Sequence, residues 1–323
     1  MEALNQDIDN DPLRPKIDFA VGGQAVIEGV MMRSPNHITI AVRKDDGSIK
    51  VKKRPYKTLT QRYKWLNLPI LRGIINLFEM MIVGTEAINY SAAQFEGEEE
   101  PQEPTKKPSR LAKLGQYSMF ALSFVFAIVL SIGLFKFLTL WITTYLETRF
   151  SYISDHYIFF NLIDGVIKMS IFLTYIFLLS LIPNFRRIFE YHGAEHKSIF
   201  NYEHKKPLNV ENARNEIRFH PRCGTSFILI VFVLSILVYT FIPKQPDFWA
   251  NLAVRLAALP LIAGIAYEYL KMSAKYANKT FVKALIAPGL WFQRLTTKEP
   301  DEKQLAVGLE SLKEALVLEQ YHR

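Results

Sequence analysis

The chain has 323 residues, half of them hydrophobic and 13% aromatic, and its 39 lysines and arginines against 31 aspartates and glutamates give a net charge of +8. The apolar residues collect in long runs, which excludes an ordinary soluble domain and points to a membrane protein. The basic surplus fits cytoplasmic loops beside anionic headgroups, and no base-stacking or groove-reading motif accompanies it, so nucleic acid is not expected as a partner. The single cysteine, Cys223, excludes an internal disulfide framework.

Residues 1–15 are polar, acidic and without periodicity, which predicts disorder, and no apolar core of a signal peptide is visible there. Residues 16–68 read as a β-rich cytosolic element. Within it, 37-HITIAVRK-44 and 48-SIKVKKR-54 are joined by Asp45, Asp46 and Gly47, a hairpin signal. The Gly-punctuated 21-VGGQAVIEGVMMR-33 predicts a further strand. Its Glu28 and Arg33 are expected to pair, or Gln24 or Glu28 to enter a pocket.

Residues 69–95 predict an amphipathic helix, interfacial or packed on a bundle, since the carboxylates of Glu79 and Glu86 would be costly in a span. Residues 96–113 are an acidic, Pro-rich linker. The transmembrane bundle, 114–270, is expected to hold four spans: about Ser118–Thr143, Val166–Ile182, Thr225–Ile242 and Leu252–Tyr267. Basic residues before the first span, between the second and third, and after the fourth put both termini in the cytoplasm. Lys136, Lys168 and Arg255 then lie toward the outer ends of their helices, where snorkelling to headgroups accounts for them. The cytosolic tail, 271–323, contains an interfacial segment around Trp291 and Phe292 and a helix near Asp301–Leu318, with Leu305, Leu309, Leu312 and Leu316 on one stripe. The expected fold class is therefore mainly α: a four-span helix bundle with a small β-rich N-terminal element and amphipathic C-terminal helices.

The chemistry gathers in the cytosolic loop 185–224, which holds His192, His196, His204, His220 and Cys223. In 192-HGAEH-196 the pattern H-x-x-E-H sets two imidazoles one helical turn apart, as a zinc clamp requires. Glu195, beside the second histidine, is positioned to act as general base toward water that the metal activates. A further ligand is needed. His220 and Cys223, flanking a Pro-containing turn, could supply it, or Glu268 at the inner end of the fourth span. A Gly-Gly pair alone is no phosphate loop, and no dinucleotide fingerprint occurs.

Five blocks, 22-GGQAVIEGVMMR-33, 72-RGIINLFEMM-81, 191-YHGAEHKSI-199, 219-FHPRCGTSF-227 and 288-PGLWFQRLTTKEPD-301, resemble the YqhQ-like family of bacterial multi-span membrane proteins, whose domain has no assigned function. The resemblance runs from about Asp18 to Leu318. It implies a bacterial membrane protein and no particular substrate.

Two functions are carried forward. One is a zinc-dependent hydrolase with its site on the cytosolic face of the bacterial inner (plasma) membrane. The other is a non-catalytic membrane scaffold or assembly factor with a structural metal or none. The expected partners are the lipid bilayer and a membrane protein or second copy of the chain.

Overall fold

The computed structural model describes residues 21–96, 122–276 and 279–322. The stretch 1–15 and the linker beyond Glu96 lie outside them. The elements are β1 Gly22–Val26, β2 Gly29–Arg33, β3 His37–Arg43, β4 Ile49–Pro55, α1 Leu59–Arg62, α2 Leu71–Phe95, α3 Leu122–Arg149, α4 Ser151–Asp155, α5 Tyr157–Leu181, α6 Pro183–Glu203, α7 Val210–Arg214, α8 Gly224–Thr240, α9 Phe248–Lys275, α10 Thr280–Thr296 and α11 Glu302–His322. The chain forms two compact units, one of residues 1–99, 178–229 and 267–323, the other of residues 100–177 and 230–266.

The first unit is built on an antiparallel sheet in the order β1-β2-β3-β4. The expected hairpin forms between β3 and β4: Asp46 accepts from the Ser48 backbone N–H at 2.8 Å, and Gly47 takes a φ of 85°. The stretch 21–33 folds as two strands rather than one, with Ile27 and Glu28 as a tight turn and Glu28 at a φ of 49°. Side chains alternate across the sheet. Val30, Met32 and Ala41 pack with Tyr191 and Ala194 of α6 and with Leu305, Leu309, Leu312 and Leu316 of α11. Met31, Ile38, Ile40 and Val42 face the other way, onto Val83, Ala87 and Tyr90 of α2. A sheet covered on both faces explains why VMM and ITIAV are apolar almost without interruption.

The α2 helix is thus packed on the sheet rather than on a helix bundle. Its Gly84 lies against the side chain of Gln24. Glu28 does not pair with Arg33. Instead it takes a bidentate contact from Arg187 and a hydrogen bond from the Tyr191 hydroxyl at 3.0 Å. Arg33 leans on Met80 and the Tyr56 ring. The tight turn points Glu28 away from Arg33 and toward α6.

In the second unit, Leu140, Ile153, Phe160 and Leu252 form an apolar core. Among the described residues three helices are long and apolar enough to cross a membrane: Leu122–Arg149, Tyr157–Leu181 and Phe248–Ser273. The expected third span is the shorter apolar helix α8 of 17 residues. At about 1.5 Å per residue it reaches roughly 26 Å, less than the ~30 Å of a hydrocarbon core. It ends where Phe241 and Ile242 turn back onto Val238 and Tyr239, ahead of Pro243.

The cations of this unit do not snorkel. Lys168 and Arg255 are 1% and 5% exposed, and both bind Asp164, at 3.0 and 2.5 Å. Lys136 donates to the Tyr239 hydroxyl at 2.9 Å. Asp164, a carboxylate inside the bundle, offers Lys168 and Arg255 a partner that the sequence reading overlooked.

Candidate functional site

The loop expected at 185–224 is largely the helix α6, which starts at Pro183 in its first turn. Helical spacing then puts His192, Glu195 and His196 on one face. Gly193 lies between them for a reason of space: a Cβ there would sit 2.1 Å from the carbonyl oxygen of Lys298. That close approach brings the segment after α10 against α6, and Lys298 donates its backbone N–H to Phe189 at 2.8 Å.

The approach also orients the histidines. His192 Nδ1 donates to the Thr296 carbonyl at 2.8 Å, and His196 Nδ1 donates to the Arg218 carbonyl at 2.6 Å. A carbonyl can only accept, so both Nδ1 atoms carry a proton and both Nε2 atoms are turned inward. Cys223, just before α8, meets them. Its Sγ is 3.1 Å from His192 Nε2 and accepts the backbone N–H of Thr225 at 3.4 Å. One ligand atom from each of His192, His196 and Cys223 lies within 4.8 Å of the others, and all three residues are buried.

The turn carrying Cys223 is clamped by Gln293, a fully buried side chain of α10 that the sequence reading did not single out. Its Oε1 accepts from the His220 backbone N–H at 2.7 Å. Its Nε2 donates to the His220 carbonyl at 2.8 Å and to the Ser226 hydroxyl at 2.9 Å. A polar residue amid the apolar run of 288-PGLWFQRL-295 was the available signal.

Electrostatics follow from this packing. Burial disfavours a charged His192, but the Cys223 sulfur and Glu195 beside it raise its pKa to about 9. Burial would raise the Cys223 thiol, yet His192 and His196 outweigh it and hold the thiol well below its usual range. Burial pushes the Glu195 carboxyl up, against the pull of both imidazoles. Its Oε2 is 4.0 Å from His192 Nε2. Burial, then the neighbouring His196, lowers His220 to about 4.

The remaining candidates separate. His220 lines the same cavity, but its Nε2 faces Glu203 at 3.3 Å and its Nδ1 accepts the Arg222 backbone N–H at 3.3 Å. Glu268 is held in a bidentate pair by Arg72 and accepts the Ile70 backbone N–H at 3.3 Å. It is not among the residues that line the cavity. The cavity measures about 340 Å³ and is lined by His192, Glu195, His196 and Cys223 together with Gly22, Gly23 and Arg33. The first strand therefore does lie against the cluster, as one expectation had it. It contributes glycine there, while Gln24 and Glu28 are not among the residues lining the cavity and Glu28 is held by Arg187 and Tyr191.

Two imidazoles and a thiolate, with the outer nitrogen of each ring tied to a carbonyl, are a donor set that zinc accepts, and three ligands beside a cavity leave a coordination position open.

The chain is 36% identical over 307 residues to the uncharacterized protein YqhQ of Bacillus subtilis (strain 168), a match that covers 94% of each protein. No solved structure matches it. The family described as "Protein of unknown function (DUF1385)" matches residues 68–318, a stretch that holds the cluster and the Gln293 clamp, and the chain belongs to that family.

Proposed function

We propose that this protein is a multi-pass protein of the bacterial plasma membrane, with both termini cytoplasmic, and that it is a metal-dependent hydrolase. His192, His196 and Cys223 would hold a zinc ion and Glu195 would serve as general base. The observation that carries this reading is the convergence of three ligand atoms within 4.8 Å beside a cavity that also exposes a carboxylate. Zinc bound there would supply a Lewis acid that polarises a substrate oxygen.

The protein's own residues do the rest. Thr296 and Arg218 fix the rings through their carbonyls. Glu195, its carboxyl raised by burial, is suited to take a proton from water and return it to a leaving group. The substrate would be a peptide or a lipid-linked group at the inner membrane surface. The orientation rests on basic residues such as Arg186, Arg187, Arg214 and Arg218 between the second and third apolar helices. A non-catalytic scaffold with a closed structural metal would need a fourth ligand. His220, the nearest imidazole, has both ring nitrogens engaged by Glu203 and Arg222.

The test is Glu195→Gln. The variant is expected to keep the metal of the wild type and to lose hydrolysis by about 100-fold or more in a screen of peptide and lipid-linked substrates. A variant as active as wild type removes the general-base role.

A further inference from the structure

The segment between the sheet and α2 turns apolar side chains outward. Trp65 is 68% exposed, and Leu59, Tyr63 and Leu68 are exposed with it. Tryptophan is ordinarily well buried, so an outward ring among other apolar side chains marks a surface that meets a partner. Local structure aligns these side chains in two pairs. Leu59 and Tyr63 lie one helical turn apart, on α1 and its C-cap. Trp65 and Leu68 are related by the 3₁₀ turn Lys64–Asn67 and its C-cap, where positions three apart eclipse. The segment is fixed in place: Glu79 of α2 accepts the Leu59 backbone N–H at 2.8 Å, and the Thr58 hydroxyl accepts the Gln61 backbone N–H at 3.1 Å. The outer side of α2 continues the patch with Phe78 and Ile82, away from the Val83 and Ala87 that meet the sheet.

Charge and place say what covers this patch. Lys57, Arg62 and Lys64 are exposed among the apolar side chains, and residues 56–72 hold no aspartate or glutamate. Aromatic rings interleaved with cations fit the headgroup level of an anionic leaflet, where indole and phenol rings settle and each lysine or arginine adds attraction. The chain just beyond is tied to an apolar helix. Arg72 Nε donates to Glu268 at 2.7 Å, and Asn76 Nδ2 donates to the Tyr267 hydroxyl at 2.8 Å. Gly73 lies against the same tyrosine, so closely that a Cβ there would sit 2.7 Å from the Tyr267 Cβ. Tyr267 and Glu268 belong to the last turns of Phe248–Ser273, one of the helices long and apolar enough to cross a membrane. Leu68 is four residues ahead of Arg72, so it lies within roughly 14 Å of that anchor.

We propose that residues 59–68 are a membrane-surface anchor that rests in the headgroup layer of the anionic cytoplasmic leaflet. Trp65 and Leu68 are seated among the lipids, and Lys57, Arg62 and Lys64 meet the headgroup phosphates. This placement rests on the membrane topology proposed above and is independent of the metal and of hydrolysis. The anchor, the sheet and the histidine–cysteine cavity belong to the same compact unit, so the anchor keeps the unit that carries the cavity at the lipid surface.

Trp65 supplies the probe. Full-length protein carrying Trp141→Phe, Trp249→Phe and Trp291→Phe, all at exposed rings, is placed in phosphatidylcholine nanodiscs with or without phosphatidylglycerol. Its emission is read against acrylamide in the water and against lipids brominated near the glycerol end of their chains. A second chain that keeps only Trp141, on α3, reports whether that helix lies in the bilayer. The expected result is a loss of about half or more of the Trp65 emission in brominated nanodiscs that contain phosphatidylglycerol. That loss should be roughly halved when Lys57→Gln, Arg62→Gln and Lys64→Gln are combined. A Trp65 quenched by acrylamide and not by bromine overturns the proposal. So does a Trp65 shielded from both, which is a ring covered by protein, and so does bromine quenching that is equal with and without phosphatidylglycerol. If Trp141 is quenched by bromine and Trp65 is not, the anchor alone fails; if both escape, the membrane topology fails with it. Should the chain with three replacements not fold, the difference between wild type and Trp65→Phe decides in the same way.

Discussion

A methyl group at Gly193 would meet the Lys298 carbonyl at 2.1 Å, so Gly193→Ala has to push away the segment that orients His192. The expected cost is about 1–3 kcal/mol in chemical denaturation, with weakened metal retention. Gln293→Ala leaves a buried backbone N–H and carbonyl of His220 without their partner. It should destabilise by about 2 kcal/mol, read from the denaturation midpoint at unchanged slope. The clustered side chains were legible in part: i, i+4 spacing placed two imidazoles on one helix face, while Cys223, in a Pro-containing turn before an apolar helix, stood beside His220 and Glu268 as an open choice. Their supports were not. The Thr296 and Arg218 carbonyls belong to the backbone and leave no trace in residue type, and Gln293 gains its meaning only when α10 packs on the 220–226 turn. Glu268 was weighed as a ligand from its position at a helix end. Nothing in spacing alone could reveal that Arg72, almost two hundred positions away, holds it.

The contact between α11 and the sheet is where the fold of the first unit is closed. Four leucines three or four residues apart predicted a buried stripe, and all four are buried. The helix starts on a reciprocal cap between Asp301 and Gln304. At its far end Glu319 accepts from the Ser34 hydroxyl at 2.7 Å and from both the backbone and the side chain of Asn36. Burial opposes its charge, but these donors win and hold the carboxyl at about 2, below the ordinary 4.5. A carboxyl lowered on folding adds stability that is complete above pH 4.5 and is lost as pH falls toward 2. Glu319→Gln should therefore be less stable than wild type at pH 7 by about 2 kcal/mol. The difference should shrink steadily in melts taken from pH 5 to pH 2.5; a gap that is constant over that range would contradict the assignment. The β3–β4 hairpin was readable because Asp-Gly marks its turn. The β1–β2 turn was missed because it uses Ile27 and Glu28, residues that no turn rule favours.

At the scale of the whole molecule, hydropathy located the four apolar helices α3, α5, α8 and α9 among the described residues and misjudged their reach. Composition stops a span at its first polar residues, whereas α3 and α9 continue past them. The sequence pattern also could not say which way a cation inside a span points. Lys136 and Arg255 turn inward because Tyr239, Asp164 and Asn161 come from neighbouring helices, a pairing that only tertiary structure creates, whereas Lys168 meets Asp164 one turn earlier on its own helix. The histidine–cysteine cluster draws in the same way on three distant stretches: α6, the turn before α8 and the end of α10. Its occupancy is the claim on which the proposed chemistry stands. The direct measurement is the metal content, by elemental analysis, of purified full-length protein beside His196→Ala and Cys223→Ser. The account predicts about one zinc per chain in the wild type and its loss in both variants with cooperative unfolding preserved. A folded wild type without metal, or variants that keep it, would contradict the account.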